Sequence, residues 1–172
     1  YGAFLFMMSL YLQGARHYSA FHTGLLYLPI SVAALTLAPL SGRLVGRFGS
    51  RPSLVAAGIM ITAATLMLAD LTVTAPVWAV MAIFAVFGAG FAMANAPITT
   101  TAVSGMPTDR AGAASAVAST SRQVGVSIGV ALCGSLAGAA LTASTAQYTA
   151  DARPLWLACA MLGVAIITLA IW

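Results

Sequence analysis

The sequence predicts an all-α membrane protein, a six-helix transmembrane bundle whose first helix is truncated. Its composition indicates the class, because 61% of the residues are hydrophobic and only 6% are charged. A water-soluble domain carries roughly 25% charged residues, since its surface must face water. The number of helices follows from the chain's division into six apolar segments by polar, glycine-containing or proline-containing connections. The apolar surface is therefore expected to face lipid and neighbouring helices.

The six segments differ in how well they fit a membrane-spanning helix. They are predicted at about residues 1–13, 23–40, 53–69, 76–101, 109–141 and 154–172. The first is too short to span, since a membrane helix needs about 20 residues. Because Tyr1 is not an initiator methionine, we expect the chain to begin inside a helix and to be part of a longer protein. Pro154 is expected in the first turn of the last helix, where proline is tolerated.

The placement of arginine predicts the orientation of the bundle. All seven basic residues are arginines, and the connections after the second and fourth segments hold four of them: Arg43, Arg47, Arg51 and Arg110. The connections on the other side hold only Arg16 and Arg153. Since arginine-rich connections face the cytoplasm, both chain ends are expected there. The arginines are scattered between apolar runs and form no basic face, which argues against a nucleic-acid partner.

The fifth segment is rich in alanine, serine and glycine and carries one charge. Two pairs of glycines have the four-residue spacing that permits close helix packing: Gly125 with Gly129, and Gly134 with Gly138. Arg122 lies about 20 Å along the helix from Asp109, at ~1.5 Å per residue. A guanidinium facing lipid at that depth costs at least ~2.5 kcal/mol. Arg122 therefore faces a wet cavity or another helix, unless the helix protrudes and places it at the membrane interface.

Aromatic, methionine and amide side chains in the first and fourth segments form two faces that could line a cavity. Such side chains suit large, variable apolar ligands, and ordinary helix packing is the alternative for each of them. Asn95 stands out, because an amide within the membrane needs a hydrogen-bonding partner. With Arg122 included, the predicted substrate cavity consists of Met8, Tyr11, Gln13, Phe84, Phe91, Asn95 and Arg122.

The connection between the second and third segments resembles the loop signature G-x-L-x-D-R-x-G-x-R/K of the major facilitator superfamily. In this chain the predicted cytoplasmic loop signature comprises Gly42, Arg43, Leu44, Gly46, Arg47, Gly49 and Arg51. Three further stretches resemble the C-terminal half of its fourteen-helix multidrug efflux branch, the drug:proton antiporters. They are Tyr11-Leu12-Gln13, then Gly24-Leu25-Leu26-Tyr27-Leu28-Pro29, and Ala111-Gly112-Ala113-Ala114-Ser115 with Ser121-Arg122-Gln123-Val124-Gly125. The family's aspartate is replaced by Gly46, which favours a C-terminal half, where this signature is commonly weaker.

The resemblance implies a secondary active transporter in a bacterial inner membrane. Such a protein exports small, mostly hydrophobic molecules in exchange for protons by alternating access. Its implied partners are membrane lipid, the substrate, protons, and an N-terminal half that we expect to be missing from this chain. Proton coupling needs a membrane-embedded carboxylate or histidine, whereas Asp70, Asp109 and Asp151 all lie at predicted segment ends. The coupling group is therefore expected in the N-terminal half.

Two alternatives come from other substrate and protein classes. A transporter of the same fold could carry an organic anion or a sugar, and a lone Arg122 in the cavity would suit the anion. A membrane-embedded enzyme is disfavoured, because neither His17 nor His22 lies deep enough in a segment to serve an intramembrane serine as a base. The five-residue spacing of these histidines is also off the i, i+4 spacing of a helical metal site. We therefore expect no enzyme activity, no metal and no cofactor.

Overall fold

The fold is entirely helical wherever the structure describes it. The computed structural model describes residues 1–104, 107, 110–140 and 145–172, with their side chains except at 136–140 and 145–151. The α-helices are α1 (Gly2–Ser9), α2 (Ala20–Leu26), α3 (Leu28–Phe48), α4 (Ser50–Ala69), α5 (Val77–Val103), α6 (Ala111–Ala140) and α7 (Thr145–Ile171). A π-helical turn, Leu10–Ala15, extends α1. The predicted all-α class is confirmed, with the second segment divided into α2 and α3.

Four stretches in the described part of the chain are long and apolar enough to cross a membrane. They are Ala20–Phe48, Ser50–Ala69, Val77–Val103 and Ala152–Ile171. Gly2–Ala15 is apolar but shorter than a span, as the sequence predicted. Helix α6, which contains 30 residues, also has the length of a span.

Two predicted boundaries are wrong. Helix α3 continues to Phe48 and α4 begins at Ser50, so most of the signature expected as a loop is helical. Leucine and arginine favour helices, and a single glycine weakens one by only about 1 kcal/mol. Gly49, at φ 80° and ψ −177°, is the single residue that connects α3 to α4. Helix α7 begins at Thr145, so Pro154 lies inside it and not in its first turn.

Helix α5 occupies the centre of the bundle. It packs extensively on α3 and on α4, and α4 also packs on α7. The buried face of α1 and its π-helical turn completes the main core against α5, through Phe4 and Met8 on one side and Phe84 and Phe87 on the other. Phe4 stacks on Phe87 with ring centroids 3.9 Å apart and meets Phe84 edge-on at 5.2 Å. Aromatic packing therefore fixes α1 to the centre.

The closest helix crossings occur at glycines. A Cβ atom built on Gly58 of α4 would lie 2.8 Å from the carbonyl oxygen of Gly163 in α7. A Cβ atom on Gly88 of α5 would lie 2.7 Å from the Cα atom of Ile30 in α3. Since real Cβ atoms do not approach backbone so closely, only glycine allows these helices their present separation.

Candidate functional site

The arginines of the signature project from the last turns of α3 and the first turn of α4. Arg43 and Arg47 are exposed, one helical turn apart, and neither forms an ion pair with any side chain that the structure describes. Arg51 instead donates a hydrogen bond from Nη2 to the carbonyl oxygen of Trp172, 3.0 Å away. This bond ties the start of α4 to the end of α7, so Arg51 holds two helix ends together.

Three of the predicted cavity residues belong to the core of the bundle. Met8, Tyr11 and Phe84 are each at most 2% exposed. The Tyr11 hydroxyl donates to the carbonyl oxygen of Thr72 at 2.7 Å and so fixes α1 to the α4–α5 connection. The Phe84 ring packs against Phe4 and stacks on Tyr27, whose centroid is 5.1 Å away. These contacts describe helix packing, and a role in the cavity stays a prediction.

Three others lie nearer the surface. Gln13 is exposed and donates from Nε2 to the Ser9 hydroxyl at 2.8 Å. Phe91 is half-buried beneath the ring of Tyr1, with centroids 4.1 Å apart. Asn95 finds its partner within its own helix, since Nδ2 donates to the Phe91 carbonyl oxygen at 2.9 Å. The amide is therefore held along α5, and its place in a substrate cavity stays a prediction.

Arg122 is exposed on α6, one turn before Val126. Towards the C-terminal end of α6, the side of the helix that carries Arg122 faces α1. There Val126 lies against Gly2, and the buried Cys133 belongs to the main core. The guanidinium therefore stands at the edge of the α1–α6 contact and remains open in this chain. The structure places Arg122 where a neighbouring polar group or water can reach it, and its place in a substrate cavity stays a prediction.

The four glycines predicted to pack α6 have different surroundings. A Cβ atom on Gly129 would lie 3.4 Å from the backbone nitrogen of Ala3, so this glycine allows α1 to approach closely. Around Gly125 and Gly134 no described atom of another helix lies within 4 Å of such a Cβ. Gly138 is in a stretch whose side chains are not described. Helix packing through Gly125, Gly134 and Gly138 stays a prediction.

The sequence interpretation missed a buried polar cluster that joins three helices. Ser41 of α3 and Ser53 of α4 are both fully buried, and both hydroxyls lie within bonding distance of the Met93 carbonyl oxygen in α5, at 3.0 and 2.8 Å. The two hydroxyls are 2.7 Å apart. Met93 is four residues before Pro97, which has no N–H to donate to that carbonyl. A proline inside an apolar segment, with serines in two neighbouring segments, is the signal that could have revealed it.

Arg16, used in the sequence only as a marker of orientation, is part of a second polar cluster at the opposite end. Its guanidinium carbon lies 5.8 Å from the ring centroid of Tyr11 and 5.3 Å from that of Tyr18. A cation held over two aromatic rings is stabilised by their quadrupoles. Among the described residues no group of three His, Cys, Asp or Glu side chains could hold a metal ion.

The helical architecture, the signature on α3 and the proline-containing spans define a polytopic membrane protein. Residues 1–130 match the Major Facilitator Superfamily, so the chain belongs to this family, and the resemblance seen in the signature is confirmed.

Several relatives carry names that refer to drug resistance. The chain is 36% identical over 150 residues to "Multidrug resistance protein Stp" of Mycobacterium tuberculosis, covering 87% of this chain and 28% of the relative. It is 32% identical over 133 residues to the "Tetracenomycin C resistance and export protein" of Streptomyces glaucescens, covering 77% and 24%. The chain thus spans about a quarter of the length of these curated relatives. No solved structure matches it significantly.

Proposed function

We propose that this chain supplies the C-terminal six-helix bundle of a secondary active transporter that exports small, mostly hydrophobic molecules. The observation that carries the proposal is the family match over residues 1–130, together with relatives named for multidrug resistance and for export of tetracenomycin C. In the proposed mechanism, this bundle and an N-terminal bundle rock about a site between them and expose it alternately to each side of the membrane.

The proposal places both chain ends in the cytoplasm of a bacterial cell. The arginine-rich end of α3 and the end of α7 lie on the same side of the bundle, joined by the bond between Arg51 and Trp172. Asp70, after α4, and Arg153 of α7 lie at the other side, 3.5 Å apart. The excess of arginine at the first of these ends supports a cytoplasmic position for it.

Transport measurements with two classes of substrate test the proposed substrate class. We expect the transporter that contains this chain to export cationic and neutral hydrophobic dyes from vesicles and to leave organic anions inside. The alternative, an organic anion transporter, is favoured by the exposed guanidinium of Arg122. Anion export that is lost in Arg122→Gln but kept in Arg110→Gln would establish the alternative and overturn the proposal. Arg110 is a suitable control because it is also an exposed arginine, one that precedes α6.

We further propose that protons drive export, with the coupling carboxylate outside this chain. Asp70 is unsuited to carry the proton, because its side chain is 79% exposed and pairs with Arg153 at the surface. An exposed ion pair of this kind contributes little to stability. We therefore expect Asp70→Asn to leave dye efflux driven by a pH gradient within about twofold of wild type, since the change removes only this pair. Efflux that became independent of the pH gradient in this variant would assign coupling to Asp70.

A further inference from the structure

The π-helical turn Leu10–Ala15 holds one residue more than the α-helix that it continues. It is closed by a hydrogen bond from the Arg16 N–H to the Tyr11 carbonyl oxygen at 3.0 Å. The Tyr18 N–H then donates to the Leu12 carbonyl oxygen at 2.9 Å. These bonds join residues five and six apart, whereas an α-helix joins residues four apart. Turns of this kind are rare and occur frequently at functional sites.

The side chain of Arg16 is tied to this π-helical turn. Its guanidinium lies over the rings of Tyr11 and Tyr18, and its buried Nη1 atom has no hydrogen-bond acceptor among the described residues. Residues five apart on an α-helix point about 140° away from each other, at about 100° per residue. The π-helical turn is therefore what brings Arg16 over the Tyr11 ring, and that contact in turn stabilises the π-helical turn.

Two features of the same stretch oppose the π-helical turn and leave it room to change. His17 follows the turn at φ 57°, in the left-handed region that few residues other than glycine adopt. Gln13 and Gly14 are exposed, and a Cβ atom on Gly14 would meet no described atom within 4 Å. Tyr11 and Leu12, by contrast, are at most 1% exposed. A rearrangement would thus leave the core in place and move only the residues after Leu12.

We propose that the π-helical turn is a register switch at the end of α1. In the observed register, Arg16 lies on Tyr11 and the extra residue stays in the turn. In the other register, the turn is α-helical, the Arg16 N–H donates to the Leu12 carbonyl oxygen, and the extra residue enters the connection to α2. Tyr18 then loses its acceptor, and His17 leaves the left-handed region. Stacking on two aromatic rings favours the observed register roughly tenfold. The proposal is independent of the proposed function.

Amide hydrogen exchange of the full-length protein, measured by mass spectrometry at single-residue resolution, tests the switch. We expect Arg16→Gln to favour the α-helical register, so that the Tyr18 amide exchanges roughly tenfold faster than in wild type. The amide of residue 16 is expected to stay protected, because it replaces one carbonyl acceptor by another. Arg153→Gln is the matched control, since Arg153 is another exposed arginine, and it should leave both amides unchanged.

Two results of this measurement would overturn the proposal. Faster exchange at residue 16 as well as at Tyr18 would indicate that the helix end frays without changing register. Unchanged exchange at Tyr18 in Arg16→Gln would indicate that the stack does not select the register.

Removal of the extra residue tests the switch while Arg16 is kept. In a variant without Gly14, an α-helix retains both closing bonds and places Arg16 four residues after Tyr11, on the same face. The bond from the Tyr18 N–H then has the five-residue spacing of an ordinary helix C-terminus. We therefore expect this variant to unfold in detergent at or above the wild-type temperature.

Removal of Gly24 from α2 is the control for this deletion. A Cβ atom on Gly24 also meets no described atom within 4 Å, but α2 is a regular α-helix with no residue to spare. The deletion turns the buried Leu26 away from the core, and we expect it to lower the unfolding temperature by about 5 °C. An equal loss in the variant without Gly14 would contradict the register switch.

Discussion

Replacing Gly58 by leucine is expected to force α4 away from α7 and to lower the free energy of unfolding by about 3 kcal/mol. A Cβ atom at Gly58 would lie 2.5 Å from Cγ1 of Ile167 and 2.8 Å from the carbonyl oxygen of Gly163. The isoleucine side chain can rotate away, but the carbonyl belongs to the backbone of α7. Any side chain at residue 58 therefore has to move a whole helix, and leucine requires the larger movement.

The facing glycine explains why α7 has little room to adapt. A Cβ atom on Gly163 would overlap the Thr62 hydroxyl and would lie 3.2 Å from the Gly58 carbonyl oxygen. Glycine is thus needed on both helices at this crossing. Because α4 and α7 pack extensively on each other, their separation is expected to expose much of the buried surface of both.

Thermal unfolding of the protein in detergent, followed by loss of helicity, measures the effect. Gly125→Leu is the matched control, because Gly125 is also inside a helix and no described atom of another helix lies within 4 Å of a Cβ built there. Leucine favours helices over glycine by nearly 1 kcal/mol, so the control is expected to unfold at or above the wild-type temperature. Equal losses at residues 58 and 125 would contradict the assignment of Gly58 to a tight crossing.

Replacing both Ser41 and Ser53 by alanine is expected to cost about 2 kcal/mol of stability. The change leaves the Met93 carbonyl oxygen buried with no donor, because Pro97 cannot supply the helical hydrogen bond. Three close contacts are present: one between the two hydroxyls, and one from each hydroxyl to the Met93 carbonyl oxygen. The two hydroxyls have only two protons to donate, so only two of these contacts can be hydrogen bonds at the same time. One serine can thus replace part of what the other provides, so each single change is expected to cost less than half of the double change.

A double-mutant cycle with Pro97→Ala tests whether the proline is the cause. Alanine at residue 97 has an N–H that can donate to the Met93 carbonyl oxygen along α5. In that background we expect the loss of both serines to cost less than about 1 kcal/mol, because the carbonyl keeps a partner. A cost that is the same with proline and with alanine would show that the serines act by packing alone. The midpoint of thermal unfolding of the four proteins gives the comparison.

Composition, segment spacing and the arginine-glycine signature were sufficient to predict the helical membrane fold and the family. The helix ends were harder to predict. The run from Gly42 to Phe48 has the residues expected of a loop, yet α3 continues through it, since a helix tolerates single glycines when its neighbours favour the helix. Pro154 was assigned to a helix start, where proline is preferred, although α7 continues through it. Local preferences do not determine where a long helix ends.

The candidate site depends on which helix faces pack together, and this information is not in any one segment. Phe84 and Arg122 were assigned to the same cavity, but the structure buries Phe84 completely and leaves Arg122 exposed. Pairs of glycines mark only part of the close helix packing. Gly88 with Ala92 and Gly90 with Ala94 have the same four-residue spacing of small residues, so a spacing rule that includes alanine predicts these crossings on α5.

Gly49 restricts how the helices at the arginine-rich end of the bundle can move relative to one another. A connection of one residue is too short to absorb a relative displacement of the two helices, so α3 cannot tilt or slide unless the first turn of α4 moves with it. Helix α4 is in turn coupled to α7 by the glycine crossing and by the bond from Arg51 to Trp172. A displacement of α3 would therefore be transmitted through α4 to α7, and the three helices would move together.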